Sequence, residues 1–393
     1  DGEIEVLFGL LEGVPYYSIR RDGVGIILPS RLGFVFLKDP PLNTDLRIVD
    51  SEQSTFDETW TQPWGEVKSI RDHHNEMRIQ LSDGGAEPRQ MVIVFRVFDD
   101  GVGFRYEFPE QSNLGEFQIM DEQTEFAMSG DYQAWWIEAF QPNRFEYLYQ
   151  NTPLSQLTRA GRSVHTPFTL ETSEGLYLSI HEAALTNYAS MTLKAQDSLV
   201  FKANLVPWSD GVLVKGQTPL KTPWRTIQIA EKPGDLITSY LILNLNEPNA
   251  LEDVSWVKPG KYIGIWWGMH VGKWTWGSGP QHGATTENTK AYLDFAAKHG
   301  FSGVLVEGWN LGWDGDWTAH GEQFNFTTPY PDFDLPGLAD YAEGLGVRLI
   351  GHHETAAAIT NYESQMEAAF ALYQSLGINT VKTGYVGWGQ GIR

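Results

Sequence analysis

At 393 residues the chain is more than twice the usual domain length, so two domains are the default expectation. Its 28 Lys and Arg against 50 Asp and Glu give a formal charge of -22, which repels phosphate backbones and anionic lipid and argues against nucleic-acid and membrane-surface roles. With no Cys there is no disulfide, thiolate nucleophile or cysteine-type zinc site, so any metal must be held by oxygen or imidazole.

No apolar run approaches the ~20 residues that span a bilayer, so no membrane insertion is expected. The start, Asp1-Gly2-Glu3 without a methionine, reads as a soluble mature product. The 15 Trp exceed what core packing usually recruits, and stacking on sugar faces is one use for such a surplus.

From residue 1 to about 250 the chain is a succession of short strand-like segments. They include Val24–Leu28, Met91–Phe98, Gly175–Ile180 and Ser239–Leu245, separated by turn signals such as Asp83-Gly84-Gly85, Glu174-Gly175 and Asp210-Gly211. This is the pattern of an antiparallel β-sandwich, assigned to residues 1–257. After Pro248, Pro259 and Gly260 the pattern changes, and residues 258–393 alternate buried strands with amphipathic helices. The strands are Tyr262–Trp267, Gly303–Glu307, Val347–Gly351 and Thr380–Thr383. One helix is expected from about Thr286 to Gly300 with Tyr292, Phe295 and Ala296 inward. Another runs from about Asn361 to Gly377 with Tyr362, Met366, Phe370 and Tyr373 inward. Repeats of ~40 residues argue for parallel β/α units. Four such units fit, so the chain is read as holding about the first half of a (β/α)8 TIM-type barrel, which needs eight strands and typically ~250 residues. An open doubly wound sheet is the alternative, but polar groups cluster at all four strand ends, as at a barrel mouth.

Trp266, Trp267 and His270 follow the first strand, and Glu307, Trp309, Asn310 and Trp313 the second. His352, His353 and Glu354 follow the third, and Lys382, Gly384 and Tyr385 the fourth. Rings for stacking, carboxylates for acid–base work, and His and Lys to hold hydroxyls suit a sugar site. Taken singly, a strand-end carboxylate such as Glu354 is more often part of a loop salt bridge. His352 and His353, adjacent on an extended strand end, point oppositely and so should not both serve one site. Trp266 and Trp267 are open to the same alternation, which does not say which of them meets sugar.

Five strings then carry a resemblance: Trp135-Trp136-Ile137-Glu138-Ala139-Phe140, His181-Glu182-Ala183-Ala184-Leu185, Thr222-Pro223-Trp224-Arg225-Thr226, Gly351-His352-His353-Glu354-Thr355 and Val381-Lys382-Thr383-Gly384-Tyr385-Val386. In order and spacing they resemble glycoside hydrolase family 97, over essentially the whole chain. The resemblance implies an exported bacterial enzyme, periplasmic or secreted, that cleaves α-linked glucose oligosaccharides. It implies a β-sandwich that lends the barrel a calcium ligand, here Glu182, and calcium's preference for carboxylate oxygens agrees. A strand-end glutamate paired with a nearby base is the alternative for Glu182. The family's general acid and remaining calcium ligands lie on later strands, in the remainder of the barrel beyond Arg393.

Retaining members carry an aspartate nucleophile near the position of Gly384, and glycine has no side chain with which to attack an anomeric carbon. The resemblance therefore implies an inverting α-glucosidase. Glu354 is its catalytic base-side carboxylate, His352 and Lys382 hold the sugar of the innermost subsite, and Glu307 with Trp266 or Trp267 completes it. Two other readings stand beside this one: a retaining α-galactosidase with its nucleophile at Asp314 or Asp316, which read better as turn residues, and a non-catalytic carbohydrate-binding protein.

Overall fold

The computed structural model describes residues 3–141 and 145–384. It divides into two compact units, one running to Val254 and the next starting at Ser255. Among the described residues no helix is long and apolar enough to cross a membrane.

The N-terminal unit is β-rich. Its described residues form a seven-stranded and a ten-stranded sheet, both antiparallel, with a three-stranded sheet beside them. The strands Val24–Arg31, Gln90–Phe98 and Tyr177–Ala183 fall where alternation predicts them. Rings from the two large sheets meet in one core. Tyr17 lies 4.7 Å from Phe104, and Phe168 lies 5.0 Å from Phe201, centroid to centroid. Burying such rings is the main favourable term here, at roughly 25 cal/mol per Å² of apolar surface.

One expected strand is absent. Within Ser239–Leu245 the residues Leu241–Asn244 form a short helix instead, which follows another short helix at Pro233–Thr238. Pro233 opens the first, where its missing N–H costs nothing. Leu241 and Leu245, four residues apart, bury one helical face against Trp224. The segment's apolar residues satisfy a helical period as well as a strand's, and burial selects the helix.

Inside this unit lies a buried ion cluster. Arg225 donates through Nε and Nη2 to Glu122 at 2.8 and 2.6 Å, and through Nη1 to Glu182 at 2.7 Å. Tyr188 and Thr124 donate to Glu122, and the Met191 N–H donates to Glu182. Two carboxylates thus share one guanidinium.

The second unit holds four parallel strands, Tyr262–Gly264, Gly303–Leu305, Arg348–His353 and Val381–Thr383, paired in that order. The helices Thr286–His299 and Ile359–Ser375 match expectation, the first capped by Thr285 and ended by Gly300 in the left-handed region. A third, Leu335–Gly344, was not anticipated, although Asp334 caps it and Pro336 lies in its first turn. Of the residues expected inward, Ala296, Tyr362 and Tyr373 are buried, whereas Phe295 and Phe370 are not. Leu293 and Ala296 are buried while Phe295 is 49% exposed, and Ala369 and Tyr373 are buried while Phe370 is 42% exposed. A one-residue error on a helix turns a side chain by about 100°. Phe295 instead packs its ring on His299 and Phe301, and Phe370 packs edge-on to His353.

Arg225→Met should destabilise the N-terminal unit by about 3–5 kcal/mol, because it leaves Glu122 and Glu182 buried without a cation. Chemical denaturation checks this, and an unchanged midpoint would show the cluster to be dispensable.

Candidate active site

Register places the site. Tyr262 pairs with Gly303, Gly303 with Arg348, and His352 with Lys382. Continued past the end of the second strand, the same register sets Glu307, His352 and Lys382 on one row across the sheet, and Trp266, in the turn after the first strand, comes beside them. Side chains two apart share a face, so the next row on that face brings Glu354 beside Gly384. The backbone bond from Gly384 N to His353 O, at 2.7 Å, carries the pairing that far.

The row makes contact through its side chains. Lys382 Nζ donates to Glu307 Oε1 at 2.8 Å, and Trp276 Nε1 donates to Glu307 Oε2 at 3.4 Å. His352 Nε2 stands 3.8 Å from Glu307 Oε1. Burial pushes the His352 ring down to about 4, the Glu307 charge opposing and the Lys382 charge assisting. The imidazole is therefore neutral near pH 7, and its approach to Glu307 is a polar contact, not an ion pair. The His352 ring stacks on Trp313 at 5.8 Å, and its Nδ1 is buried without a hydrogen-bond partner. Lys382 Nζ also lies 6.0 Å from the centre of the Trp266 ring. A carboxylate, an ammonium, a neutral imidazole and a ring face together offer the acceptors, donors and apolar plane that a sugar's hydroxyls and C–H surface require.

Of the two tryptophans, Trp266 is half-buried beside this cluster, whereas Trp267 is 61% exposed and meets Trp266 edge-on. His353 faces away, as alternation requires. Its Nδ1 meets Tyr362 Oη at 3.2 Å and its ring lies flat on Tyr373. Burial holds His353, too, down to about 4.

Glu354 is 4% exposed, and its Oε1 accepts from the Ala356 N–H at 2.8 Å. The carboxylate fills the space beside Gly384, where a Cβ would stand only 2.6 Å from Glu354 Oε1. Asp314 accepts from the N–H and hydroxyl of Ser278 in a neighbouring loop, and Asp316 accepts from Thr318 within its own, so both are engaged in loop contacts. Tyr385 lies outside the described residues. Trp276 was missed by sequence reading because it sits in a long loop with no strand end nearby. Its place in a Trp- and Gly-rich stretch was the only signal.

In the N-terminal unit Glu182 pairs with Arg225, the base that the alternative for this residue required. Burial raises its carboxyl against the pull of Arg225. Each oxygen already takes one donor and keeps one acceptor position. Among the described residues no group of three or more His, Cys, Asp or Glu gathers as a metal site. Glu182 has room to supply at most one ligand to a cation, and the described residues supply no full set around it.

Residues 1–248 match the family model described as glycosyl-hydrolase 97 N-terminal, and residues 266–390 match that described as glycoside hydrolase 97. The chain belongs to glycoside hydrolase family 97. Solved structures of a family 97 enzyme from Pseudoalteromonas sp. strain K8, one in complex with panose and one with acarbose, are 51% identical with a TM-score of 0.95. They cover 99% of this chain, which spans 58% of theirs. Among curated proteins, the retaining alpha-galactosidase of Bacteroides thetaiotaomicron is 23% identical over 94% of this chain and 56% of its own length. A probable retaining alpha-galactosidase of Streptomyces bingchenggensis is 27% identical over 86% of this chain and 49% of its own. The chain thus spans about half the length of these curated relatives.

Because folding must bury both histidines uncharged, stability should be full above the ordinary histidine value of 6.5 and should fall as pH drops from there toward about 4. His353→Phe suits the aromatic surroundings and should make that fall shallower in urea titrations at several pH values. An unchanged slope would mean that His353 titrates normally.

Proposed function

We propose that the complete protein hydrolyses the α-glucosidic bonds of malto-oligosaccharides with inversion, Glu354 acting as the base that activates water. The observation that carries this is the Glu354 carboxylate occupying the space beside Gly384. A glycine there supplies no nucleophile, and inversion calls for a carboxylate that activates water ~6.5–9.5 Å from the acid. The resemblance puts that acid beyond Arg393. Glu307, Lys382 and His352 would hold the hydroxyls of the innermost sugar, with Trp266 against its face. The four parallel strands are read as the first half of a (β/α)8 barrel, a reading supported by polar side chains collected at their C-terminal ends. The panose and acarbose complexes of the 51% identical enzyme favour an α-glucoside.

The names of the curated relatives favour a second reading, a retaining α-galactosidase, at identities of 23% and 27%. The two part on their products. Inversion gives β-glucose first from an α-glucoside, which NMR detects before mutarotation, and the α-glucoside should be cleaved far faster than the galactoside. Glu354→Gln should lower kcat by ~10²–10⁴-fold with a modest change in substrate binding. Release of α-glucose first, or near-full activity in that variant, would remove the reading.

Calcium is proposed with Glu182 as one carboxylate ligand, the remaining ligands coming from outside the described residues. Bound calcium would supply Lewis-acid or template chemistry. Chelation should then lower activity, and calorimetry should find weaker calcium binding in Glu182→Gln. Unchanged affinity would clear Glu182 of the role.

A further inference from the structure

Immediately after Glu354 the backbone enters a conformation that its residues resist. Ala356 and Ala357 have φ of 41° and 66°, two successive non-glycine residues in the left-handed region. The turn is held from three sides. The Ala358 N–H donates to the Thr355 carbonyl at 2.8 Å, and the Ala356 N–H donates to Glu354 Oε1 at 2.8 Å. Gly321 packs so closely that a Cβ there would stand 2.9 Å from both Ala356 O and Ala356 Cβ. Asn361 Nδ2 ties that neighbouring segment down through the carbonyls of Gly321 and Phe324, at 3.1 and 3.0 Å.

Strained backbone persists only where its surroundings over-determine it, and it gathers at functional sites. The turn joins the strand ending at His353 to the helix starting at Ile359, so with both ends held, relaxing either alanine must be absorbed by the short segment that carries the Ala356 N–H. We infer that the Ala356–Ala357 turn is a positioning device that fixes one oxygen of the Glu354 carboxylate and so sets the direction in which the base presents itself. The inference rests on the reading of Glu354 as the base. The turn touches no substrate, so its residues position and do not catalyse.

Ala357 is exposed, so a substitution there alters backbone preference with little repacking. In the complete protein, Ala357→Gly takes the left-handed conformation freely and should keep kcat, KM and thermal midpoint or raise the midpoint. Ala357→Val resists it and should lower kcat roughly tenfold while KM for maltose stays within about twofold. Gly321→Ala, pressing on the turn from its other side, should reproduce the kcat loss. Wild-type kcat in Ala357→Val or in Gly321→Ala would overturn the inference, as would a kcat loss in Ala357→Gly equal to that in the valine variant. The two readings fail separately. An inactive Glu354→Gln beside a fully active Ala357→Val removes only the turn's role, whereas a fully active Glu354→Gln removes the base.

Discussion

The register of four parallel strands is the constraint on which the site depends. Because strands three to six residues long pair in fixed alignment, residues far apart in sequence fall into rows. One row carries Glu307, His352 and Lys382, with Trp266 beside it in the turn after the first strand, and the next row on the same face carries Glu354 and Gly384. A slip of one residue in any strand would send that strand's member to the opposite face. For the third strand it would replace His352 by His353, whose ring is committed to Tyr373 and Tyr362. Buried strands such as Gly303–Leu305, apolar on both faces, resist such a slip because each side chain fills a defined space.

Burial then sets the charge state of what the register collects. His352 is enclosed by Trp313 and the strand behind it, and desolvation outweighs the attraction of Glu307, so the ring stays neutral. Had it been protonated, the row would carry two cations against one carboxylate and would suit an anion. As it stands, one ion pair between Glu307 and the partly exposed Lys382 is joined to a neutral donor–acceptor ring. That balance suits a neutral polyhydroxylated ligand better than a charged one.

Much of this was legible in the sequence, because strand ends and period-two alternation are local signals. The four strands were read within a few residues, and the opposite facing of His352 and His353 followed from alternation alone. Losses came where two periods competed or where packing decided. Ser239–Leu245 fits both strand and helix until Leu241 and Leu245 meet Trp224. Ala296, Tyr362 and Tyr373 are buried as expected, but Phe295 and Phe370 are exposed while their neighbours Leu293 and Ala369 occupy the crowded helix faces. The helix Leu335–Gly344 announced itself with Asp334 and Pro336 and was overlooked within a long loop-like stretch. The Trp276 contact to Glu307 crosses a loop, and no sequence period encodes it.

The space beside Gly384 gives the absence of a side chain its chemical meaning. An empty position beside a glycine could be filled by a substitution, but this one already holds a carboxylate fixed by the Ala356 N–H. A carboxylate introduced on the fourth strand at residue 384 would have to displace the one from the third. On the proposed reading, the water-activating base and a nucleophile at 384 are therefore alternatives competing for one volume, not additions to a common site. The choice between them would be enforced by packing before any difference in reactivity could act, since like charges at such a separation also repel and cannot both stay ionised. The same crowding explains why the turn after Glu354 must be held so firmly. A carboxylate that fills a shared volume has one usable direction, and a backbone free to relax would lose it.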